Sequence, residues 1–135
     1  MTPCLLVVED DRELMRLLRL SLVDIGGLAM HPCYDGAGAL TALDGGLNPD
    51  LALLDLNLPK LDGKQVLAQL KNAPDLRRIP VIILSSSRAD QDITDSYDRH
   101  ANGYITKPDE FGRMRDVVEA IEEFWFGAAT LPARH

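Results

Sequence analysis

Short, unbroken apolar runs alternate along this chain with stretches in which leucines recur at helical spacing. Leu5-Leu6-Val7-Val8 is the first run, and it stops at Glu9-Asp10-Asp11. An apolar run without polar alternation suits a strand covered on both faces. Behind it, Leu14, Leu17, Leu18, Leu22 and Ile25 predict a helix stopped by Gly26-Gly27. A short strand is expected from Ala29 to Cys33, and Pro32 inside it predicts an edge position. Gly36 to Leu43 reads as a second helix, closed by Gly45-Gly46. Leu51-Ala52-Leu53-Leu54 is a third strand that runs straight into Asp55. A turn with Pro59 and Gly63 leads to a third helix marked by Val66, Leu67 and Leu70. Val81-Ile82-Ile83-Leu84 is a fourth strand ending in Ser85-Ser86-Ser87, followed by a polar helix from about Asp90 to Arg99. Gly103-Tyr104-Ile105-Thr106 is a brief fifth strand that ends at Lys107-Pro108. The last helix is expected from about Glu110 to Phe126, with Met114, Val117, Val118, Ile121 and Trp125 inward.

Five strands alternating with five helices predict an α/β domain, a parallel sheet with helices on both faces and right-handed crossovers. In such sheets, functional residues gather beyond the carboxyl ends of the strands. The polar residues that close the apolar runs are therefore expected to converge: Glu9 and Asp10, Asp55, Ser85 and Lys107.

Three carboxylates in one cleft repel one another unless a cation neutralises them. A hard divalent ion such as Mg²⁺, with Mn²⁺ as a substitute, suits Glu9, Asp10 and Asp55, and the main-chain carbonyl of Asn57 would complete the ligand set. Lys107 can pair with Asp55 or with an anion attached to it, and Ser85 can donate to a phosphoryl oxygen. In-line phosphoryl transfer to a carboxylate needs that combination of charge and donors, with Asp55 as the nucleophile. Each residue also has a plainer reading. The acids can be solvated loop starts, Lys107 a surface lysine beside a helix, and Ser85 a residue opening a helix.

The chain has 135 residues and a formal charge of −7, from 14 basic and 21 acidic side chains. The length suits one domain. The negative balance argues against a generic nucleic-acid surface or an anionic membrane as partner. No apolar stretch approaches the length of a membrane span. Cys4 and Cys33 form no CxxC pair and have no histidine at metal-ligand spacing, so they are expected to be reduced thiols in a cytoplasmic protein.

The sequence resembles the receiver domain of two-component response regulators. The resemblance rests on Val8-Glu9-Asp10-Asp11, Leu54-Asp55-Leu56-Asn57-Leu58-Pro59, Asp62-Gly63, Ile79-Pro80-Val81-Ile82-Ile83-Leu84-Ser85 and Gly103-Tyr104-Ile105-Thr106-Lys107-Pro108, in that order. It implies a doubly wound, flavodoxin-like receiver fold with strand order 2-1-3-4-5. It also implies roles. Asp55 would accept a phosphoryl group from a sensor histidine kinase. Asp10 would be the more direct metal ligand, with Glu9 acting through water and Asn57 through its carbonyl. Ser85 and Lys107 would contact the phosphoryl group, and Ser85 and Tyr104 would form the switch pair. Such a domain phosphorylates and dephosphorylates itself but is no conventional turnover enzyme.

A narrower resemblance joins Asn72-Ala73-Pro74-Asp75-Leu76-Arg77-Arg78-Ile79-Pro80 with Phe124-Trp125 and Leu131-Pro132. It points to the single-domain regulators paired with cyanobacterial phytochromes and bacteriophytochromes. The expected organisation is a receiver at 1–126 and a tail at 127–135, with no output domain. Phe124, Trp125, Phe126, Leu131 and Pro132 are the expected homodimer interface. Two positions depart from the family pattern. His100 stands where glycine is usual, and Asp109-Glu110 follows Pro108 where an apolar residue is common.

Four readings compete with this one. A regulator of a non-photoreceptor kinase, or a phosphorelay intermediate, would share the same site. A Mg²⁺-dependent aspartyl-phosphate phosphatase of the haloacid-dehalogenase type would want an acid where Asn57 stands. A flavodoxin-like carrier would need a hydroxyl-rich loop where Glu9-Asp10-Asp11 stands. A non-phosphorylated scaffold would not need Asp55, Asp10, Lys107 and Ser85 together.

Overall fold

The computed structural model describes residues 3–25 and 28–132. The elements, in chain order, are β1 (Cys4–Val8), α1 (Arg12–Ile25), β2 (Ala29–Cys33), α2 (Gly36–Asp44), β3 (Leu51–Leu54) and α3 (Gly63–Asn72). They continue with β4 (Val81–Ser85), α4 (Asp90–Asp98), β5 (Gly103–Thr106), α5 (Phe111–Glu123) and a π-helical turn, Phe124–Ala128. The five strands are parallel and lie in the order β2-β1-β3-β4-β5. The Gly26-Gly27 stop expected after α1, and the side chain of Ile25, lie outside the described residues.

The unbroken apolar runs are explained by the two layers they serve. Leu6, Val8, Ala52, Leu54, Val81 and Ile83 join Ala39, Leu43, Val66, Leu67 and Leu70 of α2 and α3 on one face. Leu5, Val7, Leu51, Leu53, Ile82 and Leu84 join Leu14, Leu18, Met114, Val118 and Ile121 of α1 and α5 on the other. Successive strand residues point to opposite faces, so both sets must be apolar. Full burial of each valine, leucine, isoleucine or methionine side chain among them stabilises the fold by about 1.5–3 kcal/mol.

Local signals set the helix starts. Asp35 caps α2 by accepting from Gly38 N–H, and Asp62 and Gln65 form a capping box at α3. α4 has neither advantage. Its N-cap residue, Ala89, makes no side-chain cap bond, and Ser96 is its one buried residue. At its C-terminal end His100 adopts φ 71°, the left-handed conformation that glycine supplies without strain. Lys60 does the same at φ 66°, which the sequence did not signal.

The edge position expected from Pro32 is realised in β2. Ala29 N–H donates to Pro3 and the Cys33 carbonyl accepts from Glu9 N–H, so the odd-numbered residues of β2 face β1. Pro32 therefore turns its missing donor to the open side.

The last helix departs from expectation at its end. α5 stops at Glu123 and widens into the π-helical turn, closed by Ala129 N–H donating to the Phe124 carbonyl at 2.7 Å. The expected helix end at Phe126, and the expected boundary between 126 and 127, both fall inside this turn. Trp125 and Phe126 pack against the α1/α5 layer, whereas Phe124 is 55% exposed. The Phe124 and Trp125 rings meet edge to face at 5.2 Å.

Candidate functional site

The strand ends converge because the ladder aligns them. Asp55 N–H donates to the Val8 carbonyl at 3.0 Å, and Lys107 N–H donates to the Ser85 carbonyl at 2.7 Å. Glu9, Asp55, Ser85 and Lys107, each closing or following a strand, thus come together at one end of the sheet. Asp55 and Ser85 are buried, and Glu9 is 2% exposed.

The three consecutive acids after β1 divide their tasks. Glu9 turns inward, and its Oε2 accepts from Asp11 N–H at 3.1 Å. Asp10 stays exposed at the cleft. Asp11 starts α1 by accepting from Glu13 and Leu14 N–H. One carboxylate oxygen from each of Glu9, Asp10 and Asp55 lies within 4.8 Å of the other two. An all-carboxylate set, open to solvent on the Asp10 side, matches the donor chemistry of a hard divalent cation.

Lys107 reaches into this cluster. Its Nζ lies 2.6 Å from Glu9 Oε1 and 3.1 Å from Asp55 Oδ2. The other Asp55 oxygen, Oδ1, accepts from Asn57 N–H at 3.3 Å. Burial pushes the Glu9 carboxyl up from 4.5 to about 7, Asp55 adds to the rise, and the Lys107 bond offsets only part of it. Burial acts to lower Lys107 as well, but the Glu9 and Asp55 carboxylates outweigh it and hold the ammonium above its ordinary 10.5. The two partners thus shift in ways that do not mirror each other. Glu9 is the more deeply buried, so its desolvation dominates, whereas Lys107 keeps 17% of its side chain exposed.

Ser85 Oγ accepts from Ser87 N–H at 3.2 Å, which leaves its own proton available as a donor. Tyr104 is half-buried against the α2/α3 layer, and its hydroxyl donates to the Ser87 carbonyl at 2.8 Å. Every residue named from the strand ends therefore lies at this cleft or one residue contact behind it. The aromatic and tail residues Phe124, Trp125, Phe126, Leu131 and Pro132 belong to the chain's end and contribute nothing to it.

Two neighbours of the cleft carried no legible signal of their role. A Cβ on Gly63 would overlap the Asp55 carbonyl oxygen and sit 2.6 Å from Leu56 Cα, so only glycine lets α3 approach the backbone of Asp55. Lys64, the next residue, pairs with Asp92 and Asp95 of α4. The Asp62-Gly63 pattern marked the turn but not this contact.

Among the described residues, no helix is long and apolar enough to cross a membrane.

Comparison with known proteins agrees with this geometry. The family profile of the response regulator receiver domain matches residues 5–119. Response regulator Rcp1 of Synechocystis sp. is 40% identical, over 96% of this chain and 92% of its own length. The crystal structure of the phosphorylated cyanobacterial phytochrome response regulator RcpA superposes with TM-score 0.95 at 41% identity, covering 98% of this chain and 100% of that one. The Mn²⁺-bound form of Rcp1 gives TM-score 0.91 at 38% identity, over 97% and 99% of the two chains. The bacteriophytochrome response regulator RtBRR gives 0.75 at 33% identity, over 100% and 85%. With the strand order, the strand-end acids and lysine, and a profile match across most of its length, the chain belongs to the response regulator receiver domain family.

Proposed function

We propose that this chain is a phosphoacceptor that takes a phosphoryl group from a sensor histidine kinase onto Asp55, and that the kinase is a phytochrome-type photoreceptor. One observation carries the first part: Lys107 bridges Asp55 and Glu9 in the cleft at the strand ends. The likeness to RcpA, Rcp1 and RtBRR supports the second. The acidic balance supports a protein partner over a nucleic acid, and a cytoplasmic setting fits a kinase partner.

Asp55 is the nucleophile. One of its carboxylate oxygens attacks phosphorus as the P–N bond to the donor histidine breaks, and the imidazole leaves with the electron pair and takes a proton. Glu9, Asp10, Asp55 and the Asn57 carbonyl would hold a divalent cation, Mg²⁺ or Mn²⁺, which supplies positive charge to the phosphoryl oxygens. Lys107 adds an ammonium and Ser85 a hydroxyl donor on the same group. Asn57 offers no acid to activate water, so the acyl phosphate turns over slowly, as water attacks phosphorus, inorganic phosphate leaves and the carboxylate is restored. Ser85 and Tyr104 convert that state into a changed surface.

Intact-mass measurement after incubation with phosphoramidate and Mg²⁺ tests this reading. A single adduct of about 80 Da, the mass of one phosphoryl group, is expected, and it should vanish in Asp55→Asn and with EDTA. A folded wild-type chain that gains no adduct and shows no response to beryllofluoride would overturn it in favour of a scaffold.

The exposed ring of Phe124, with Trp125, Phe126, Leu131 and Pro132, supports a homodimer built on the C-terminal segment. Sedimentation at tens of micromolar, with and without beryllofluoride, should show a dimer. Monomer alone under both conditions would sink this part.

A further inference from the structure

Ser87 sits where three elements meet. Its N–H donates to Ser85 Oγ at 3.2 Å, its hydroxyl donates to Asp92 Oδ2 at 2.5 Å, and its carbonyl accepts from Tyr104 at 2.8 Å. The other Asp92 oxygen accepts from Lys64 Nζ at 2.8 Å, and the same ammonium reaches Asp95 Oδ2 at 3.0 Å. A polar chain therefore runs from the hydroxyl that closes β4, through the first turn of α4, to the first turn of α3.

Apolar packing does little to hold α4. Neither Ile93 nor Tyr97 joins either apolar layer, and Tyr97 is 50% exposed. The buried Ser96 spends its hydroxyl on the Asp92 carbonyl inside the helix itself. A helix without an apolar anchor is placed by its polar contacts, and here these start at one ammonium. Lys64 is held above its ordinary value by its bonds to Asp92 and Asp95, and both acids are held below theirs chiefly by Lys64. All three stay charged through the neutral range.

We propose that Lys64 is a positioning residue: it latches α4 to α3 and, through Asp92 and Ser87, holds the Ser85 hydroxyl and Tyr104 in a resting arrangement. The inference rests on the phosphoacceptor reading of Asp55. For Ser85 to move onto a phosphoryl group, Ser87 must either release Ser85 Oγ or follow it. Following it breaks the bond to Asp92 or drags α4 along. The latch opposes both, so opening it favours the arrangement competent for phosphorylation. The side chains of the latch are 25–33% exposed, which leaves it open to screening by salt.

The test compares wild type, Lys64→Met and Lys64→Arg. At low salt, Lys64→Met should take up phosphoryl from phosphoramidate about two- to fivefold faster, the scale on which a solvent-reached ion-pair network biases two states. Lys64→Arg should keep the wild-type rate. Added salt should narrow the gap between wild type and Lys64→Met. Amide hydrogen exchange over residues 87–98 should rise in Lys64→Met and stay unchanged in β1 and β3. Equal rates at low salt, or a gap indifferent to salt, overturns the latch. If wild type gains no adduct at all, the phosphoacceptor reading fails by itself. The exchange result then decides the latch, and unchanged exchange over 87–98 overturns it.

Discussion

Lys107 stands between two carboxylates that would otherwise confront each other across a buried cleft. Replacing it by methionine keeps the length of the side chain and removes the charge. In metal-free buffer at neutral pH, Lys107→Met should lower the unfolding free energy by about 2–3 kcal/mol, since it leaves the acids uncompensated. Asp55→Asn should act the other way and raise it by about 1 kcal/mol, because Glu9 still holds Lys107 while the crowding is relieved. Urea melts of the two variants in EDTA check both signs. Gly63 governs the same carboxylate from behind. Gly63→Ala forces α3 away from the Asp55 backbone, so divalent-cation affinity, followed by titration calorimetry, should fall at least tenfold, even in variants that stay folded. Glu9, Asp10, Asp55, Ser85 and Lys107 were legible because each interrupts or follows an apolar run. Gly63 and Lys64 were not, since their roles depend on what lies across space from the start of α3. His100, which stands where glycine is usual in the family, adopts the left-handed conformation, whereas its twin at Lys60 had no pattern to announce it.

At the level of elements, apolar content decides which helices are fixed by packing and which by charge. α1, α2, α3 and α5 bury leucine, valine, isoleucine or methionine side chains, and these are the helices whose spacing was plainest in the sequence. α4 was recognisable only as polar, and its ties to Lys64 and Ser87 could not be read from spacing. Its stability should carry an acid signature. Asp92 and Asp95 are depressed below 3.8 by Lys64, so their contribution is complete above that value and is lost as pH falls through their lowered values. The difference in Tm between wild type and Lys64→Met should stay level from about pH 7 to about pH 5 and close below about pH 4. A difference that shrinks already near neutrality would contradict the pairing. The end of α5 was misjudged because apolar spacing alone does not distinguish a continuing α-helix from a π-helical turn.

For the molecule as a whole, the two apolar layers follow from the unbroken runs of β1, β3 and β4, the sheet order is the one the family resemblance implied, and the remaining surface is where individuality lies. Phe124 and Trp125 are neighbours with opposite duties. Phe124→Ser removes an exposed ring that touches Trp125 only at its edge, so monomer stability should fall by no more than about 1 kcal/mol, while sedimentation should lose the proposed dimer. Trp125→Ala takes a ring off the α1/α5 layer and should cost about 2–3 kcal/mol, less than a fully buried tryptophan. A Phe124→Ser protein that still dimerises would place the contact elsewhere. The open side of β2 bears on crowded conditions. A bare strand edge is a template on which further chains can stack into ribbons. Along β2 the outward positions are Met30 and Pro32, and Pro32 offers no hydrogen to an incoming strand. An added chain would find a single donor there, too few to lock its register. Pro32 thereby guards the sheet against fibrous growth.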